Sequence, residues 1–144
     1  MPRLLDNLAA TAALGAALAG WLAPGRALLL DGPLGAGKTT LARAVLRTMS
    51  NDPALDVPSP SYTLVQSYET ARGPVHHLDL WRIAGPAGLI ELGFEEWLAD
   101  MLIIEWPDRL GPLTPPCALT ITLLSTGPKS RLATITAPAE APFA

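Results

Sequence analysis

Apolar residues in this chain fall into short runs whose spacing separates helices from strands. From Leu8 to Leu22 the sequence is rich in alanine and leucine, and Leu14, Leu18, Trp21 and Leu22 recur at helical spacing. That pattern predicts an amphipathic helix, capped at Asp6 and packed on a sheet. Asp6 near its start and Pro24-Gly25-Arg26 at its end keep it short of a membrane span, and it reads as a packed helix rather than a signal peptide. Ala27-Leu28-Leu29-Leu30 is an unbroken apolar run, the mark of a buried parallel strand. Thr40 to Met49 then carries Leu41, Val45, Leu46 and Met49 on one helical face.

Beyond a polar connection from Ser50 to Pro58 and a hydroxyl-rich loop, Ser59 to Thr63, two strands are predicted at Thr63 to Glu69 and Val75 to Leu80. Ala71-Arg72-Gly73-Pro74 forms the turn of a hairpin between them. Gly85 to Gly88 breaks the pattern, and Leu89 to Leu92 and Phe94 to Leu98 read as short helices around Gly93. Met101 to Ile104 is a second buried strand. Ala118 to Leu124 and Leu132 to Thr136 alternate on either side of Gly127-Pro128, which predicts an antiparallel pair. The tail over 138–144 is expected to be frayed. There is no internal repeat.

Composition narrows the picture. The chain has 144 residues, enough for one domain with one sizeable core. Its net charge of −3 argues against a DNA- or RNA-binding face built on clustered Lys and Arg. A role in nucleic-acid metabolism through partners stays open. Cys117 is the single cysteine, so no intrachain disulfide can form and a reducing, cytoplasmic setting is expected.

The chemistry begins at Gly32-Pro33-Leu34-Gly35-Ala36-Gly37-Lys38-Thr39, which fits the phosphate-loop pattern G-x-x-x-x-G-K-[ST] at every fixed position. Glycines allow a tight loop whose N–H groups turn inward on phosphate oxygens. Lys38 brings positive charge to the outer phosphates and Thr39 a hydroxyl to a magnesium ion. The following helix points the positive end of its dipole at the same anion. Strand, loop and helix stand in the order this motif requires. The fold class is therefore α/β: a P-loop NTPase fold over residues 1–144. A mixed, mostly parallel central sheet is flanked by helices and extended by antiparallel strand pairs.

Hydrolysis also requires groups that hold magnesium and orient water, placed at the ends of strands beside the loop. Glu105 follows Leu102-Ile103-Ile104, and Asp79 follows Val75-His76-His77-Leu78 in a weaker version of the same pattern. Either could instead be a boundary residue or a cap. His76 and His77 are neighbours on a strand and face opposite ways, so they cannot chelate one ion, and a structural role is expected. Trp106 could stack on a base or fill a core gap. Arg82 and Arg109 could touch phosphates or form surface pairs.

Taken together, several blocks resemble one family. They are Leu34-Gly35-Ala36-Gly37-Lys38-Thr39-Thr40-Leu41, Ser59-Pro60-Ser61-Tyr62-Thr63-Leu64-Val65, His77-Leu78-Asp79-Leu80-Trp81-Arg82, Glu91-Leu92-Gly93 and Ile104-Glu105-Trp106-Pro107-Asp108-Arg109. In this order and spacing, over roughly residues 5 to 136, the chain resembles the bacterial TsaE (YjeE) family, the small ATPase of tRNA threonylcarbamoyladenosine biosynthesis. The resemblance implies an ATPase, loaded with ATP or ADP and Mg2+. It would support a threonylcarbamoyl transferase subunit and that enzyme's inactive paralogue, reaching tRNA only indirectly through the complex. It implies phosphate contacts from Gly35, Gly37, Lys38, Thr39 and Thr40, with Ala36 between them as a further nucleotide-binding candidate, and magnesium binding by Thr39 and Glu105. It also implies activity at Asp79 and a switch-like segment at Ser59 to Thr63. Trp81 stands where tyrosine is common, Asp108 where glutamate is common, and Gly85-Pro86-Ala87-Gly88 is more broken than the usual charged helix.

The catalytic candidates are thus Asp79, Glu105 and Lys38, with Trp106 added to the nucleotide contacts. Alternatives are a small-molecule or nucleotide kinase of the P-loop class and a module that holds nucleotide without turning it over. Kinases of this type use a mobile arginine-rich lid, whereas the arginines here are scattered and no lid-length insertion is apparent. A guanine-selecting Asn-Lys-x-Asp motif is absent, since the only lysines are Lys38 and Lys129.

Overall fold

A computed structural model of the chain describes residues 2–137, and the tail expected over 138–144 lies outside them. Seven strands form one sheet. In chain order the elements are β1 (Pro2–Leu5), α1 (Leu8–Trp21), β2 (Ala27–Asp31), α2 (Lys38–Met49), β3 (Val65–Thr70), β4 (Gly73–Asp79), α3 (Pro86–Glu91), α4 (Phe94–Trp97), β5 (Met101–Glu105), β6 (Ala118–Ser125) and β7 (Arg131–Thr136). The strand order is β1-β7-β6-β2-β5-β4-β3. β6, β2, β5 and β4 run parallel in the middle, while β3 on one side and β7 with β1 on the other are antiparallel. The expected mixed sheet is present, parallel at its centre and antiparallel at both margins.

Strand alternation divides the core into two. Leu28 and Leu30 of β2, Met101 and Ile103 of β5, and Leu119, Ile121 and Leu123 of β6 pack under α1 and α2. Ala27, Leu29, Leu78, Leu102 and Ile104 face the other way, against Leu89 of α3 and Phe94 of α4. Helix α2 seats Leu41, Val45 and Leu46, all fully buried, on the first face. Each such side chain contributes roughly 1.5–3 kcal/mol. Leu14, Leu18, Trp21 and Leu22 are buried, as their spacing predicts.

The departures from expectation have local causes. Helix α1 is capped by Asn7, not Asp6: Asn7 is extended (φ −160°) and its side chain accepts from the Ala10 N–H at 2.9 Å. Its C-terminus is closed from a distance, by Arg26 donating to the Trp21 carbonyl and Arg72 of the β3–β4 turn donating to those of Ala19 and Leu22. β3 starts at Val65 rather than Thr63 because Leu64 is left-handed (φ 68°). Gly73 and Pro74, expected in the turn, already pair with Thr70 and Glu69. α3 begins inside the Gly85–Gly88 breaker, because Pro86 suits the first helical turn, where its missing N–H costs nothing. β1, pairing with β7, was not anticipated: only Leu5 of its four residues is buried, so it carries no alternation.

Helices α1 and α2 meet through Gly15, where an added Cβ would sit 2.5 Å from the Cβ of Ala44. Gly15→Val is expected to lower the unfolding free energy by about 1–3 kcal/mol through overpacking. Gly20→Ala, in the same helix with nothing near the added methyl, should raise it by about 0.4–1 kcal/mol. Urea denaturation of the two variants checks both signs.

Candidate functional site

β2 ends at Asp31, whose side chain accepts from the Gly32 N–H at 2.9 Å and starts the phosphate loop. The loop closes at Gly37, left-handed at φ 101°, which is the N-cap of α2 and makes no side-chain capping bond. A helix of 12 residues thus presents its first N–H groups to the loop with no side chain in their way, the arrangement that favours a bound anion. Arg131 of β7, two strands from β2, reaches across to donate from Nε to the Ala36 carbonyl at 3.0 Å and braces the loop.

Lys38 is buried, with 5% of its surface exposed. Its Nζ donates to the loop's own carbonyls at Gly32 (2.5 Å) and Pro33 (3.1 Å). It also lies 3.8 Å from the ring centre of Trp106. Burial holds its pKa below the usual lysine value, while the carboxylates of Glu105, Asp31, Asp79 and Asp108 pull the other way. An incoming phosphate would replace neutral carbonyl acceptors with anionic ones and so pair the ammonium with an opposite charge.

The two acids come together because of strand register. Leu30 of β2 is paired with Glu105 of β5, and Glu105 with Asp79 of β4, so both carboxylates leave adjacent strand ends on the α1–α2 face. Thr39 Oγ1 donates to Glu105, 3.0 Å from each carboxylate oxygen. Glu105 is 2% exposed. Asp79, also buried, accepts from Ser61 Oγ at 3.0 Å and from the Trp81 N–H at 2.9 Å. This ties the Ser59 to Thr63 loop to the site. Together these groups and Gly35, Ala36, Gly37, Thr40 and Trp106 line a cleft of about 280 Å³. A second cavity of about 460 Å³ adjoins it and shares Ala36, Gly37, Thr40 and Arg131, then runs toward Asn7, Leu8 and Lys129.

Trp106 is half-buried and left-handed at φ 59°, a conformation that costs a non-glycine residue roughly 1–3 kcal/mol and gathers at functional sites. Its ring packs on Trp81 with centroids 4.5 Å apart. Arg82 and Arg109 lie apart from the cleft lining: Arg82 over the Tyr62 ring and Arg109 paired with Asp108 at 2.7 Å.

The histidines face opposite ways, as alternation requires. His76 joins Ser67 and Asp100, 2.8 Å from each, and ties β3 and β4 to the residue before β5. His77 reaches Glu105 instead, 2.6 Å from Nε2 to Oε2. Sequence reasoning left out this contact and the Arg131 brace. The first was traceable, since His77 and Asp79 are two apart on one strand face. Nothing local marks Arg131, which is 95 residues from its acceptor.

A parallel strand, a glycine-rich loop and a helix, with carboxylates at the neighbouring strand ends, define a P-loop NTPase fold. A family model described as "Threonylcarbamoyl adenosine biosynthesis protein TsaE" matches residues 5–133, and the chain belongs to that family. It is 34% identical to the protein of that name from Rickettsia felis over 133 residues, 92% of this chain and 77% of the relative. It is 35% identical to the one from a Nostoc species over 139 residues, 92% and 83%. The crystal structure of a Bacillus YdiB superposes with a TM-score of 0.74 at 26% identity, covering 95% of this chain and 84% of that one. Among the described residues no helix is long and apolar enough to cross a membrane.

The buried Lys38 ammonium has a signature in the pH dependence of stability. A base whose folded pKa is lowered destabilises the fold at all pH below that value. The penalty is relieved as pH rises from the lowered value toward 10.5. Denaturation curves on the alkaline side should show the wild type gaining stability relative to Lys38→Met across that window.

Proposed function

We propose that this chain, as a single ATPase domain over residues 1–144, binds ATP with magnesium and hydrolyses it to ADP. In doing so it supports a threonylcarbamoyl transferase subunit and that enzyme's inactive paralogue. The observation that carries the reading is the Thr39 hydroxyl held against the buried Glu105 carboxylate at the foot of the phosphate loop. Among the described residues Glu105 contacts Thr39 and His77 and meets no lysine or arginine at salt-bridge distance. A buried carboxylate so placed favours a cation. Magnesium takes hard oxygen ligands and keeps water and phosphate oxygens in its shell, so a hydroxyl and one carboxylate fit it.

Thr39 and Glu105 would hold the ion, which when bound neutralises charge on the phosphates. Gly35, Ala36, Gly37 and Thr40 would offer N–H groups to the phosphates and Lys38 its ammonium. Asp79 and Glu105 are the carboxylates available to orient water. The adjoining cavity, lined by Leu8 and Asn7, has room for the nucleoside, and Trp106 closes the phosphate end. The choice of adenine rests on the family and on the missing guanine motif. Transferase chemistry would lie in the partner, with tRNA reached through the complex in the cytoplasm.

The test is ATP turnover by the purified chain, alone and with the transferase pair and tRNA. Marked stimulation by the full mixture is the expected result. Brisk turnover that ignores the partners would instead favour an independent ATPase or a kinase. Lys38→Ala should weaken ATP binding at least tenfold, about 1.4 kcal/mol, while the variant stays folded. Unchanged ATP affinity in a calorimetric titration would remove the phosphate site. Glu105→Ala should lower magnesium-dependent turnover more than it lowers thermal stability.

A further inference from the structure

Among the described residues the proposed chemistry leaves the buried polar side chains of Thr11, His76 and His77 unused, and of these His77 touches the site's carboxylate. His77 is fully buried, on the same face of β4 as Asp79. Its Nε2 lies 2.6 Å from Glu105 Oε2. An ionised carboxylate only accepts, so the ring nitrogen must carry the hydrogen and donate it. The other ring nitrogen, Nδ1, has no hydrogen-bond partner among the described residues. Leaving a buried polar atom unpaired is costly, and an apolar side chain of similar size would fill the same space without that cost. What the imidazole adds is a rigid donor aimed at one carboxylate oxygen.

Glu105 has several rotatable bonds, and its other contact is the Thr39 hydroxyl, which is itself needed at the site. A donor anchored in β4 fixes Oε2, while among the described residues Oε1 is held by the Thr39 hydroxyl alone. We infer that His77 is the positioning residue of Glu105, holding Oε2 through Nε2–H so that the carboxylate is presented to the nucleotide's magnesium. The inference rests on the reading of Glu105 as a magnesium-site carboxylate. Partners that orient a ligating group in this way are worth about 10–100-fold in metal affinity or activity when removed.

The experiment measures ATP binding by the full chain as a function of magnesium concentration, and in chelator alone, for His77→Leu, His77→Gln and Glu105→Ala. His77→Leu should need about 10–100-fold more magnesium and bind ATP as the wild type does in chelator. His77→Gln, which keeps a donor at comparable reach, should recover most of the loss. Nitrogen NMR of the wild-type imidazole, which needs no variant, should show hydrogen on Nε2 and none on Nδ1. A folded His77→Leu with wild-type magnesium dependence would overturn the inference. So would a bare Nε2 or a failure of His77→Gln to recover. If Glu105→Ala also leaves the magnesium dependence unchanged, the reading of Glu105 fails with it; if Glu105→Ala loses it and His77→Leu does not, the role of His77 alone is refuted.

Discussion

The parallel register of β2, β5 and β4 is the constraint on which the site depends. Leu30, Glu105 and Asp79 occupy the same level of three neighbouring strands, and β2 runs one residue further before the phosphate loop begins. The loop and both acids therefore emerge together at one end of the sheet. Slipping β5 by a single residue would turn Glu105 onto the face covered by α3 and α4. The apolar residues guard against that slip. Ile103 and Leu102 belong to different cores, and exchanging their faces would disrupt both. The same packing that stabilises the sheet sets the level of the chemistry.

The site itself is built from groups that oppose stability. Lys38 is a buried ammonium with a lowered pKa, Glu105 is a buried carboxylate, and Trp106 occupies a left-handed conformation. Their neighbours offset part of this: loop carbonyls and the Trp106 ring for Lys38, Thr39 and His77 for Glu105. On the proposed reading, each of these contacts engages an atom that a magnesium nucleotide would also engage or flank. Ser61 on Asp79 extends the arrangement to the Ser59 to Thr63 loop.

Much of this was legible in the sequence because the central elements are locally determined. The unbroken runs Ala27–Leu30 and Met101–Ile104 could be little other than buried strands, and the phosphate loop fixes what lies between strand and helix. Acids at the ends of such runs follow by position. The short edge strand β1 escaped because three of its four residues are exposed, and its stability comes from pairing with β7, a partner far away in the chain. The cap of α1 was misplaced by one residue because Asp6 and Asn7 are both competent caps and only the backbone turn decides. The His76-His77 pair suggests a metal site, and His77 reads as structural once alternation sets the two on opposite faces. The alternation that rules out joint chelation also aligns His77 with Asp79, yet its contact two levels along on β5 needs the register. Arg131 meets the loop only because β7 and β6 pair in alongside β2.

The most direct measurement replaces magnesium by Mn2+ in a complex of the chain with a non-hydrolysable ATP analogue and follows paramagnetic broadening by NMR. Broadening centred on Thr39 and Glu105, reaching Asp79 and fading toward α3 and α4, is the result that the proposed function predicts. Broadening centred elsewhere, or nucleotide binding that leaves Thr39 and Glu105 unaffected, would contradict it.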